Sequence, residues 1–278
     1  MKKLLLAFLL LPALSNAQAP SCCALSGTQQ FSMLASNEDF VASHIAPEPF
    51  VYAVENGSMI TYPCSDGKDA NAFVIKSPKQ SNRWLLVFHE WWGLNDYIKQ
   101  EAEKWQKELG DINVMAVDLY DGKIAETPAT AQAIMGGLDQ NRATTIIRGA
   151  LKHAGPQAKI YTIGWCMGGG FSFNATIMAE KQGVACVMYY GMPEMDSTKV
   201  QKINADVLGL FAKKDKWITP EVVAKFQAMM KKENKKLTVK SYDADHAFAN
   251  PSNPNHDKAA TADAHAVALA FLKARMTK

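Results

Sequence analysis

The chain has 278 residues, 48% of them hydrophobic, which is enough to bury one full core in a single domain. With 30 Lys plus Arg against 27 Asp plus Glu, its net charge of +3 is too small a footprint for nucleic acid or an anionic membrane surface. Its five cysteines form no Cys-x-x-Cys pair and there is no His-rich spacing, so no structural metal is expected.

Lys2-Lys3, the apolar run 4–14 and Ser15-Asn16-Ala17 have the charged, hydrophobic and small-residue order of a signal peptide. The run is too short to span a bilayer. Residues 1–17 are therefore expected to be removed, leaving Gln18 first and a periplasmic or secreted protein with no membrane attachment. Loss of Lys2 and Lys3 leaves 28 basic against 27 acidic residues, a net charge near +1. A lipoprotein acylated at Cys22 fits less well, because Ala19-Pro20-Ser21 is a poor lipobox. An oxidising compartment tends to pair reachable thiols, and Cys64 is expected to join Cys22 or Cys23; spacing does not choose between them. Residues 18–54 carry Pro47 and Pro49 and little periodicity beyond one short helix at 37–44. They read as an extension packed on a main domain of residues 55–278, with His44 a surface or packing residue.

Two β-patterned runs, 59–63 and 71–76, flank the turn Ser65-Asp66-Gly67-Lys68 and predict a hairpin. The continuous apolar run 84–88 predicts a strand buried on both faces, ending in His89-Glu90-Trp91-Trp92-Gly93-Leu94-Asn95. A helix at 96–109 follows, then a strand at 114–117 leading to Asp118-Leu119-Tyr120-Asp121-Gly122. Two helices broken near Gly136-Gly137 fill 128–153. Strands at 159–163, 184–189, 206–211 and 237–242 come next, with a helix opened by Thr219-Pro220-Glu221 and a closing amphipathic helix at 257–273. Cys186, inside an apolar strand, is expected as a small buried hydrophobe. This alternation predicts an α/β fold with a mostly parallel, doubly wound sheet and helices on both faces.

The strand at 159–163 runs into Gly164-Trp165-Cys166-Met167-Gly168-Gly169 and then a helix, the layout of a nucleophile elbow with cysteine as nucleophile. A thiol so placed lies over a helix N-terminus, which favours thiolate and oxyanion. Asp215 and His246 stand at the ends of later strands, in the nucleophile, acid, histidine order of α/β-hydrolases. His246 would take the thiol proton and Asp215 would hold the imidazole; the backbone N–H groups of Met167 and Trp91 would form the oxyanion hole. Trp92 and Trp217 would line an apolar substrate site.

Together with Asp118-Leu119-Tyr120, Tyr190-Gly191 and His246-Ala247-Phe248, these motifs resemble the dienelactone hydrolase family of α/β-hydrolases over residues 59–273. The resemblance implies a cofactor-free Cys-His-Asp enzyme cleaving a small lactone or ester through an acyl-cysteine. It also implies that Glu90 approaches the resting thiol and withdraws when substrate binds. One departure is Asn250, where members acting on dienelactone carry a carboxylate-binding arginine; Asn250 is expected in the substrate site, and within residues 119–142 only Lys123 and Arg142 offer positive charge. A monomer acting on a small-molecule ester or lactone is expected. The rivals are a thiol-redox protein, or a binding protein with vestigial activity.

Overall fold

The computed structural model describes residues 25–277. A hairpin of β1 (Ser58–Pro63) and β2 (Asp69–Ile75) opens the sheet, followed by β3 (Arg83–Phe88), β4 (Asn113–Val117), β5 (Lys159–Trp165), β6 (Gly183–Tyr189), β7 (Asp206–Ala212) and β8 (Leu237–Tyr242). The spatial order is β1-β2-β4-β3-β5-β6-β7-β8. Among the described residues only the β1–β2 and β2–β4 pairs are antiparallel. The fold is therefore the α/β-hydrolase type, a mostly parallel sheet with helices. β4 and β5 lie on opposite sides of β3, so the chain reverses its winding there, and crevices at such reversals hold ligands.

Burial explains the strand sequences. All five β4 residues and the last five of β3 are buried, since helices cover both faces. The helices are α1 (Gly27–Ser32), α2 (Glu38–Ala42), α3 (Asp96–Leu109), α4 (Pro128–Gly136), α5 (Gln140–Ala154), α6 (Met167–Ala179), α7 (Ser197–Val200), α8 (Pro220–Lys232) and α9 (Lys258–Met276). α3 buries Ile98, Ala102, Trp105 and Leu109, a single stripe at helical spacing, and the Asn95 side chain caps it by accepting the Ile98 N–H at 3.2 Å. α6 has no charged residue and is buried on nearly every side. Beneath it the Ser172 hydroxyl donates to Thr162 Oγ1 at 2.8 Å or to the Val187 carbonyl at 2.9 Å, so this interior polar cluster is satisfied. Cys186 lies against it, buried, with its sulfur 3.5 Å from Ser172 Oγ.

Arg142 is occupied structurally: its guanidinium pairs with Asp66 and Asp121 and donates to the Asp69 carbonyl at 2.6 Å, tying the hairpin turn to the loop after β4. It is therefore not free to hold a substrate carboxylate.

The segment before the hairpin is more ordered than its weak periodicity indicates. Helix α1, a 3₁₀ turn at Met33–Ser36 and α2 precede His44. Phe31 and Phe40 are 1% and 0% exposed, with rings 5.7 Å apart and edge-on. The anticipated partners of Cys64, Cys22 and Cys23, and the signal-like residues 1–17 lie outside the described residues.

Candidate active site

Cys166 sits between β5 and α6 at φ 54°, ψ −120°, a conformation costing an L-residue about 1–3 kcal/mol. The elbow holds because the chain around it is drawn close. A Cβ on Gly164 would lie 2.1 Å from the Gly168 carbonyl oxygen, and one on Gly168 would lie 2.2 Å from that of Phe88. Only glycine lets β5, α6 and the end of β3 meet there. The Cys166 N–H donates to the Tyr189 carbonyl at 3.0 Å, which fixes the turn onto β6.

Asp215 and His246 reach the same sheet edge from the loops after β7 and β8. Asp215 Oδ1 accepts the N–H groups of Trp217 and Ile218, both at 2.9 Å, and Oδ2 lies 2.6 Å from His246 Nδ1. Burial alone would push this carboxyl up, but the His246 charge, the imidazole hydrogen bond and the two backbone donors together hold it below its ordinary range. With Nδ1–H donated to Asp215, His246 Nε2 presents a lone pair 3.5 Å from Cys166 Sγ. Cys166 is 1% exposed, and burial first and Glu90 second push its thiol well up, against the lowering effect of the Met167 N–H. The resting sulfur is therefore protonated at neutral pH.

Glu90 follows β3. The residue is partly exposed, but Oε1 is fully enclosed. Burial raises the carboxyl to about 7, opposed by His246, Asn250 and Tyr190. Asn250 Nδ2 donates to Glu90 Oε2, while the enclosed Tyr190 hydroxyl lies beside Glu90 without completing a hydrogen bond. Asn250 thus clasps Glu90 as well as lining a cavity of about 180 Å³, together with Glu90, Trp92, Trp165, Tyr189 and Tyr190. Trp217 does not line that cavity; it stands edge-on to His246, with ring centres 5.4 Å apart at 87°. Trp91 is fully buried, edge-on to Phe40 at 5.4 Å, and Met167 Sδ accepts the Tyr120 hydroxyl at 3.2 Å. His89 donates from Nδ1 to the Glu90 carbonyl at 2.6 Å and accepts the Leu119 N–H on Nε2 at 3.1 Å, joining the loops after β3 and β4.

His44 is the residue that the sequence undervalued. It is 3% exposed, and its ring lies 5.6 Å from that of His246 and 4.9 Å from that of Trp91. One nitrogen of His44, one of His246 and Cys166 Sγ all lie within 4.8 Å of one another. A thiol and two imidazoles are a donor set that suits a soft or borderline cation. His44 Nδ1 is 2.7 Å from the Phe40 carbonyl, which can only accept, so Nδ1 carries the proton and Nε2 is a bare acceptor. Nε2 is buried and has no hydrogen-bond partner among the described residues. Burial, then the His246 charge, lower the His44 pKa to about 3, so the ring is neutral. Its one local signal is the Phe40 to His44 spacing of four, which brings the two rings to 4.3 Å from each other as one face at the C-terminal end of α2. Nothing in that spacing says where the face docks.

A family model described as "Dienelactone hydrolase family" matches residues 71–276. "Protein usf" of Aquifex pyrophilus is 26% identical, covering 73% of this chain and 93% of its own length. "Carboxymethylenebutenolidase 1" of Cupriavidus pinatubonensis is 24% identical over 72% of this chain and 90% of its own. Among solved structures, a dienelactone hydrolase-like promiscuous phosphotriesterase from metagenomic libraries superposes with a TM-score of 0.65 at 19% identity, covering 80% of this chain and 99% of that one. With the elbow, the sheet order and the family match in agreement, the chain belongs to the dienelactone hydrolase family and is a hydrolase of that kind.

Proposed function

We propose that this hydrolase cleaves a small lactone or carboxylic ester through an acyl-cysteine, with Cys166 as nucleophile, His246 as base and Asp215 orienting it. The observation carrying this reading is the continuous path from Asp215 Oδ2 to His246 Nδ1 at 2.6 Å and from His246 Nε2 to Cys166 Sγ at 3.5 Å. In the first half-reaction the thiol proton passes to His246 Nε2, sulfur bonds to the carbonyl carbon, and the alkoxide leaves with the proton held by His246. The Met167 and Trp91 N–H groups are proposed as the oxyanion donors.

Glu90 fits a gating role, since its charge opposes thiolate formation and it also forms part of the cavity wall. Substrate entering that cavity would compete with the Asn250 clasp, and moving Glu90 away would ease ionisation of Cys166. The aromatic wall of Trp92, Trp165, Tyr189 and Tyr190 favours an apolar acyl or alkyl group. Arg142 is already paired and so does not supply charge for a substrate carboxylate. The relative's name, carboxymethylenebutenolidase, denotes action on a butenolide and supports the lactone class.

The deciding experiment uses p-nitrophenyl esters and small lactones, with intact-mass detection of the adduct. Wild-type protein is expected to gain one acyl mass, and Cys166→Ala none. Full turnover by both His246→Ala and Asp215→Asn would refute the triad. Export is part of the same proposal, and sequencing the N-terminus of protein recovered outside the cytoplasm should read from Gln18.

A further inference from the structure

Two buried imidazoles stand beside the sulfur, while a hydrolase of this kind is expected to use one. His246 Nε2 is assigned to the thiol proton; His44 Nε2 is buried, unprotonated and without a donor among the described residues. Buried acceptors are ordinarily paired, so one placed beside the reacting sulfur is suited to receive a donor from the reacting partners. The thiol can satisfy only one of the two rings, because it has one hydrogen.

Water has two. A nitrogen of each ring and Cys166 Sγ lie within 4.8 Å of one another, a span that a single water can bridge by donating both its hydrogens. We propose that His44 is a water-positioning residue for the second half-reaction: its Nε2 accepts one hydrogen of the hydrolytic water while His246 Nε2 accepts the other. This rests on the acyl-cysteine reading above and assigns a role to a residue outside the segment matched by the family model, residues 71–276.

The step balances. The water oxygen bonds to the acyl carbon, and the proton facing His246 moves to its Nε2. The C–S bond then breaks, and sulfur recovers that proton from His246. The hydrogen bonded to His44 never leaves oxygen and becomes the hydroxyl hydrogen of the acid product. An alcohol nucleophile has a single O–H and needs only His246.

The test compares His44→Phe, which keeps a flat ring against Phe40 and Trp91 but has no acceptor, with His44→Gln, whose amide oxygen reaches about as far as Nε2. With a p-nitrophenyl ester, the burst reports acylation and the steady state reports deacylation. The ratio of deacylation to acylation should fall about tenfold or more in His44→Phe and return to within about threefold of wild type in His44→Gln. Acyl-Cys166 should accumulate by mass in His44→Phe, and added methanol should divert more product to methyl ester than in wild type. An unchanged ratio in His44→Phe, or a His44→Gln variant as impaired as His44→Phe, overturns the assignment. If wild-type Cys166 never acylates, the nucleophile assignment fails and this one falls with it; acylation with an unchanged ratio sinks this one alone.

Discussion

Glu90→Gln is the sharpest probe of the electrostatics around the sulfur. The carboxyl lies at about 7 in the folded protein, against an ordinary 4.5, chiefly because burial disfavours its charged form. Below pH 4.5 both folded and unfolded chains carry the neutral acid, and the group does not affect stability. As pH rises past 4.5 the unfolded chain releases the proton first, so the folded state is penalised increasingly until pH passes 7, where the penalty levels off. The gap corresponds to about 3 kcal/mol at 1.36 kcal/mol per pH unit. Glutamine has nearly the same shape, can accept from Asn250 and does not titrate. The stability of Glu90→Gln relative to wild type should therefore improve by about 3 kcal/mol between pH 4.5 and pH 8, or roughly 6–12 °C in Tm for a domain of this size. Thermal scans of both proteins at the two pH values measure this double difference, in which the other titrating groups largely cancel. A difference that stays constant, or one that moves against the variant as pH rises, would refute the placement of Glu90 in an enclosed, charge-averse position.

Three further outcomes follow from the geometry. Asp215→Asn leaves the loop packed but weakens the hold on the His246 tautomer, so ester turnover should fall about 10³- to 10⁴-fold, whereas a loss under tenfold would contradict its role. Gly168→Ala forces a Cβ within 2.2 Å of one backbone oxygen and 2.4 Å of another, neither of which can swing aside; a loss of about 3 kcal/mol in denaturant unfolding is expected, and near-wild-type stability would show that the elbow is looser than drawn. Phe40→Ala empties a fully buried site between Trp91, Trp217 and His246. It should cost about 3–5 kcal/mol and speed iodoacetamide alkylation of Cys166, and an unchanged alkylation rate would mean that Phe40 does not cover the thiol.

Some of this architecture is legible locally. The β-patterned runs beside Ser65-Asp66-Gly67-Lys68 form the β1–β2 hairpin, and Thr219-Pro220 caps α8. Gly164 and Gly168 mark a turn no other residue could make. These features depend on neighbours a few positions apart, where backbone sterics and hydrogen-bond geometry leave little choice. Other features arise between segments far apart in the chain. Arg142 looked like a candidate for substrate charge until folding brought Asp66 and Asp121 to it, 76 and 21 positions away. Asn250 is separated by 160 positions from Glu90, the carboxylate it clasps.

The amino-acid sequence by itself determined the order of strands and helices, the strained turn that presents Cys166, and the loops that carry Asp215 and His246, because periodicity and turn chemistry are local properties. Only the tertiary structure decided that an aperiodic stretch before the hairpin folds over the sheet edge and sets a second, neutral imidazole beside the sulfur. The apolar face of Phe31, Phe40 and His44 could have packed against many surfaces. It packs where the loops after β3, β7 and β8 bring Trp91, Trp217 and His246 together, a juxtaposition created by folding and encoded in no single segment.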